Sequence, residues 1–166
     1  KVIKNFNGTP IMSRTGHSYI KSKIIETNAL LGGEMSGHIF FNDDWYGFDD
    51  AIYSALRMIE VLSKSKFTTY EVFNSYPKHF STPEINLKVP EENKFKVIDE
   101  LKTLVNSSVY TLIDIDGIRL ENENSWGLVR ASNTSPNLVL RFEGKTENHL
   151  LEIKNYFKEI LSKIEI

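Results

Sequence analysis

The pair Asp116-Gly117, set between Thr111-Leu112-Ile113 and Ile118-Arg119-Leu120, restricts the fold of this chain more tightly than any other feature. Glycine takes the positive φ that a tight reversal needs, so the two flanking runs are expected to pair as an antiparallel hairpin. Two more strands are expected over 126–129 and 138–142, joined by a polar loop over 130–136. A helix precedes this β-rich stretch from Glu91, with Val97, Ile98, Leu101, Leu104 and Val105 turned inward. Another follows Thr146, where Leu150, Ile153, Phe157, Ile160 and Ile164 make one apolar stripe. Helix, three or four antiparallel strands, helix is the order of a small α+β domain with its helices on one face of the sheet.

The first half reads differently. Pro10-Ile11-Met12-Ser13 is expected as a strand, 14–17 as a loop, and Ile20, Ile24 and Ile25 as the inner side of a helix, which is an α/β unit. Leu30 to Phe41 reads as a strand interrupted by a glycine-bracketed loop. Over 48–63, Ile52, Leu56, Ile59 and Leu62 share a helix face, with Asp49 and Asp50 in the first turn to complement the helix dipole. Between residues 64 and 90 the periodicity lapses, apart from a patch at Tyr70, Val72 and Phe73, and Pro77, Pro83 and Pro90 punctuate the chain. The expected organisation is a partial α/β domain over 1–66, a linker over 67–84 and an α+β domain over 85–166.

With 166 residues, of which 40% are hydrophobic and 25% charged, the chain can bury a core in one or two small domains. A formal net charge of −2 supplies no field for collecting polyanions, so no nucleic-acid partner is expected, although a local cationic pocket can still hold one phosphate. The absence of cysteine removes disulfides, thiolate metal sites and thiol nucleophiles. No stretch approaches the ~18 apolar residues of a membrane span, and no signal segment opens the chain, so a cytoplasmic protein is expected. The first residue is Lys1 rather than methionine, which suggests a start inside a longer product.

Two loops carry residues suited to binding. Glu34, Ser36 and His38 alternate, and on an extended backbone they would line one wall with an acceptor, a hydroxyl and an imidazole, groups that suit sugar hydroxyls. The same spacing serves an exposed strand edge equally well, and the flanking glycines favour the ligand loop. Arg130-Ala131-Ser132-Asn133-Thr134-Ser135-Pro136 offers a guanidinium, hydroxyls, an amide and successive N–H groups, the parts of a phosphate cradle. Composition alone favours an ordinary polar turn there. His17, at a loop-to-helix junction, has the alternative of an unremarkable surface residue beside a helix cap. Asp43-Asp44 and Asp49-Asp50 read as solvated dipole partners and Asp114-x-Asp116 as part of the hairpin turn, so no metal is assigned to any of them.

Gly33-Glu34-Met35-Ser36-Gly37-His38 and the 130–136 loop together resemble the α-D-phosphohexomutase superfamily, in its phosphomannomutase/phosphoglucomutase branch. Residues 14–21, 45–55 and 126–130 resemble family segments in the same order. The relatives with glucosamine substrates usually carry Gln at the place of Met35. The resemblance implies a four-domain enzyme interconverting hexose 1-phosphate and hexose 6-phosphate through a bisphosphate. This chain would hold the end of the third domain and all of the fourth. It implies that His17, Glu34, Ser36 and His38 bind the sugar, with His38 a candidate for proton transfer, and that Arg130, Ser132, Asn133 and Thr134 hold the non-reacting phosphate. Magnesium and a hexose 1,6-bisphosphate would serve the whole enzyme, whose phosphoserine and metal motifs are absent here. The expectation is therefore a piece that binds but is inactive alone, with a truncated sheet prone to self-association. The alternatives are a free-standing sugar-phosphate-binding module or half of a split mutase.

Overall fold

The computed structural model describes residues 2–165. Its two units meet at Tyr76 and Pro77, within the proline-punctuated stretch, and each has its own core.

The first unit runs α1 (Val2–Asn5), α2 (His17–Thr27), β1 (Leu31–Gly33), β2 (Ile39–Phe41), α3 (Ala51–Lys64) and α4 (Thr69–Asn74). Ile20 and Ile24 lie one helical turn apart on α2 and are buried against Phe40, which is fully enclosed. Gly32 permits that approach, because a Cβ there would stand 2.8 Å from the side chains of both isoleucines. β1 and β2 pair antiparallel, Leu31 opposite Phe41 and Gly33 opposite Ile39. The α3 helix begins at Asp50, whose carboxylate accepts from the Tyr53 N–H at 2.9 Å and from the Trp45 indole N–H at 3.2 Å. The Trp45 ring in turn stacks on Tyr53 with centroids 4.3 Å apart. Asp50→Ala is therefore expected to cost about 1 kcal/mol of helix stability and to loosen Trp45. Thermal melting followed by circular dichroism and tryptophan fluorescence checks both effects.

Several expectations for this half are corrected. Residues 10–13 form no strand: Pro10 lacks an N–H, and among the described residues no strand lies alongside to form a ladder. Leu30 to Phe41 is a hairpin rather than one interrupted strand. The helix starts at Ala51, so Asp49 and Asp50 stand before the first turn instead of within it. Its apolar residues Ile52, Leu56 and Ile59 are exposed, at 79%, 59% and 62%. The 67–84 stretch, expected as a linker, carries α4 and the first strand of the second unit. The α4 helix rests on a capping box in which the Thr68 hydroxyl accepts from the Glu71 N–H while the Glu71 carboxylate accepts from the Thr68 N–H.

The second unit runs β3 (Phe80–Ser81), β4 (Ile85–Lys88), α5 (Lys94–Leu104), β5 (Thr111–Ile113), β6 (Ile118–Glu121), β7 (Ser125–Ala131), β8 (Asn137–Gly144) and α6 (Glu147–Leu161). Its antiparallel sheet follows the order β3-β8-β7-β6-β5, and β4 also pairs with β8. Six strands replace the expected three or four, because the free edge of β8 takes two short partners. The Asp116-Gly117 hairpin forms, with Leu112 opposite Leu120. Along β7 burial alternates without a break: Ser125, Gly127, Val129 and Ala131 turn to the core, and Trp126, Leu128 and Arg130 to the other face. Ile118, Leu120, Leu138 and Phe142 join the core side, where α5 contributes Val97 and Leu101 and α6 contributes Ile153, Phe157 and Ile160. Both helices thus cover one face and leave the other open. Among the described residues, no helix is long and apolar enough to cross a membrane.

Candidate functional site

In the first unit the loop between β1 and β2 is closed by its own backbone. Glu34 N–H donates to the His38 carbonyl at 2.9 Å and Gly37 N–H to the Glu34 carbonyl at 3.0 Å. Gly37 has φ 95, a conformation that L side chains rarely adopt. Glu34, Ser36 and His38 therefore sit around a turn, and the alternating extended wall expected from their spacing is not formed. What joins the loop to α2 is the half-buried Glu34 carboxylate, which accepts from the Gly16 N–H at 2.7 Å. Gly16 caps α2 and His17 is its first residue, so the loop and His17 share one edge of the unit. Ser36 and His38 are exposed.

His38 has a partner that the sequence did not disclose. Its Nδ1 lies 2.5 Å from Asp49 Oδ2, while Asp49 Oδ1 accepts from the Ile39 N–H at 3.3 Å. A carboxylate at Nδ1 favours the tautomer with the proton on that nitrogen and leaves Nε2 as an acceptor when the ring is neutral. Asp49 is thus an orienting group for His38, not a solvated dipole partner. Asp43 and Asp44 are also engaged, at 2.8 and 3.9 Å from the Arg57 guanidinium. The Asp44 backbone N–H, helped by Arg57, holds the Asp43 carboxyl below its ordinary value.

In the second unit the β7–β8 connection is shorter than expected, because Arg130 and Ala131 belong to β7 and Arg130 pairs with Val139. The remaining turn is cross-tied. Ser132 N–H donates to the Asn137 carbonyl at 2.9 Å and Asn137 N–H to the Ser135 carbonyl at 2.8 Å. The buried Ser132 hydroxyl accepts from Ser135 Oγ at 2.9 Å and from the Thr134 N–H at 3.3 Å. Asn133 and Thr134 are exposed at the tip. Among the described residues, no hydrogen bond or ion pair engages the Arg130 guanidinium. Its neighbour on the same face, Arg119, is by contrast occupied by Glu121 at 3.1 Å and by the Trp126 ring at 4.0 Å. A free guanidinium can receive an oxyanion bidentately, while within the turn the Ser132 and Thr134 N–H groups and the Ser135 hydroxyl are already engaged. Among the described residues, no group of three or more His, Asp or Glu side chains gathers in a form that would hold a metal ion, and no role is derived for a metal at these residues.

Residues 1–80 match the family model described as phosphoglucomutase/phosphomannomutase, alpha/beta/alpha domain III, and residues 84–160 match the model for its C-terminal domain. The chain is 48% identical over 164 residues to a phosphomannomutase/phosphoglucomutase of Pseudomonas aeruginosa, covering 99% of this chain and 35% of the relative. It is 48% identical over 161 residues to a phosphoglucomutase of Neisseria meningitidis, covering 96% and 35%. A crystal structure of a phosphoglucomutase/phosphomannomutase family protein from Burkholderia thailandensis superposes with a TM-score of 0.89 at 40% identity, covering 97% of this chain and 34% of the other. The chain belongs to the phosphoglucomutase/phosphomannomutase family. It spans about a third of the length of the curated relatives it matches.

Proposed function

We propose that this chain is the sugar- and phosphate-recognising part of an enzyme that interconverts hexose 1-phosphate and hexose 6-phosphate through a hexose 1,6-bisphosphate. Arg130, with Ser132, Asn133 and Thr134, takes the phosphate that does not react. Glu34, Ser36, His17 and His38 take the sugar, and the Asp49 carboxylate keeps one nitrogen of His38 free to accept a proton. Holding the substrate in place lowers the entropic part of the barrier, and in phosphoryl transfer positioning and charge stabilisation account for most of the catalysis. The serine that carries the phosphoryl group and the magnesium site lie outside this chain, so the chain alone binds and does not turn over.

The unengaged Arg130 guanidinium beside the cross-tied turn carries this reading. Calorimetric titration of mannose 1-phosphate and glucose 1,6-bisphosphate into the chain is expected to give weak binding of both. Arg130→Ala should weaken it by ~10- to 100-fold, the equivalent of one charged hydrogen-bonding partner worth about 1.5–3 kcal/mol. Equal affinity in the variant, or equal binding of unphosphorylated sugar, would refute the assignment.

A further inference from the structure

Lys94 opens α5 but is buried, with only 4% of its side chain exposed. Lysine is almost never enclosed this far unless its charge is paired, since desolvating an ammonium is costly and an apolar side chain would fill the same space without that cost. Its Nζ donates to the carbonyl of Ser132 at 2.8 Å and pairs with Glu91 Oε1 at 2.5 Å. Ser132 is the first residue of the turn, and its N–H is already committed to the Asn137 carbonyl.

The Ser132–Asn133 peptide is a plane in which C=O and N–H point in opposite directions. Tying the carbonyl to the buried ammonium therefore aims the Asn133 N–H away from Lys94. Among the described residues, that N–H has no hydrogen-bond partner. We infer that Lys94 is a positioning residue for the anion loop: it fixes the Ser132–Asn133 peptide so that the Asn133 N–H faces the bound phosphate. The inference rests on the reading of this turn as the phosphate site, and its first test is independent of any ligand.

Lys94→Met, close in volume and without charge, is the informative variant. Amide hydrogen exchange on the full chain without ligand should show the Ser132 and Asn137 N–H groups losing protection by about tenfold or more, while α5 and α6 amides keep theirs and the melting temperature is unchanged or raised. Binding of mannose 1-phosphate should weaken by about tenfold, one charge-assisted contact in strength, and Lys94→Arg should recover part of the loss. A purely structural lysine would instead lower the melting temperature and the protection of the helix amides, leaving the turn and the affinity as they were. Glu91→Gln supplies a variant that does not depend on the methionine chain folding. It leaves the Ser132 contact in place and removes a negative charge, so turn protection should persist and affinity should hold or rise. Loss of turn protection in Glu91→Gln would assign the effect to the ion pair and overturn the proposal. If the wild-type chain binds no sugar phosphate, the phosphate-site reading fails, and the exchange data still decide whether Lys94 orders the turn.

Discussion

Phe157→Ala is expected to bring the second unit close to unfolding. The Phe157 ring is fully buried on α6, stands 5.3 Å from the Phe142 ring, and covers Gly127, where a Cβ would come within 2.5 Å of it. The ring thus fills the space that a glycine in the middle of β7 leaves open, beside the Phe142 ring. Truncating a buried phenylalanine costs about 3–5 kcal/mol, against a total of about 5–15 kcal/mol for a domain. For a unit of this size that shifts the melting midpoint by about 15–30 °C. Scanning calorimetry checks it, and a shift below about 5 °C would mean that the core closes around the gap.

The second large effect is expected at Gly117. Its φ is +77, and a Cβ there would lie 2.3 Å from the Val129 carbonyl oxygen and 2.6 Å from the Arg130 Cα. The obstacle is the backbone of β7, which cannot swing aside as a side-chain end can. Left-handed backbone alone costs an L residue about 1–2 kcal/mol, and the overlap adds to it, so Gly117→Ala should destabilise the unit by about 3 kcal/mol. Relief of the clash displaces β7 at Arg130, so affinity for a sugar phosphate should fall as well, by about tenfold. Gly37→Ala is the comparison: φ is +95 but no atom lies within 4 Å of the added Cβ, so only the local strain of about 1–2 kcal/mol applies. Denaturant unfolding of the two variants separates strain from collision. Equal losses would mean that the approach of the hairpin turn to β7 is not a tight one.

Local pattern explains which parts of the fold were legible in the sequence. The α6 stripe and the Asp116-Gly117 hairpin are encoded by residues a few positions apart, and both form where expected, except that the helix ends at Leu161, before Ile164. Phe80 and Ser81 form a strand only because β8, some sixty residues later, offers them an edge at Glu143 and Gly144. Pro10 to Ser13 has the composition of a strand but no described neighbour to pair with, and it stays irregular. In the Glu34 loop the alternation of polar residues suggested extended backbone, whereas Gly37 was the signal that decided the geometry.

The candidate site was legible only in part. The two loops could be singled out as candidates because their residue types suit sugar and phosphate chemistry, but composition alone favoured an ordinary polar turn over 130–136, and the proposed roles come from the family resemblance. Asp49 was passed over because adjacent acids near a helix start usually complement its dipole; only the fold of the hairpin brings it to His38. Lys94 carried no signal at all, since a lysine in the first turn of an amphipathic helix reads as solvated and its partner Ser132 is distant in sequence.

The most direct test of the phosphate assignment is a titration of the chain with glucose 1-phosphate followed in amide nitrogen–proton correlation spectra, with glucose as the matched control. The account predicts that the phosphate ester shifts the amides of residues 131–135 and the Arg130 side-chain signals, that glucose leaves these unmoved, and that Arg130→Ala abolishes the response. Shifts at that turn caused equally by glucose, or a phosphate response that leaves residues 130–135 silent, would contradict it.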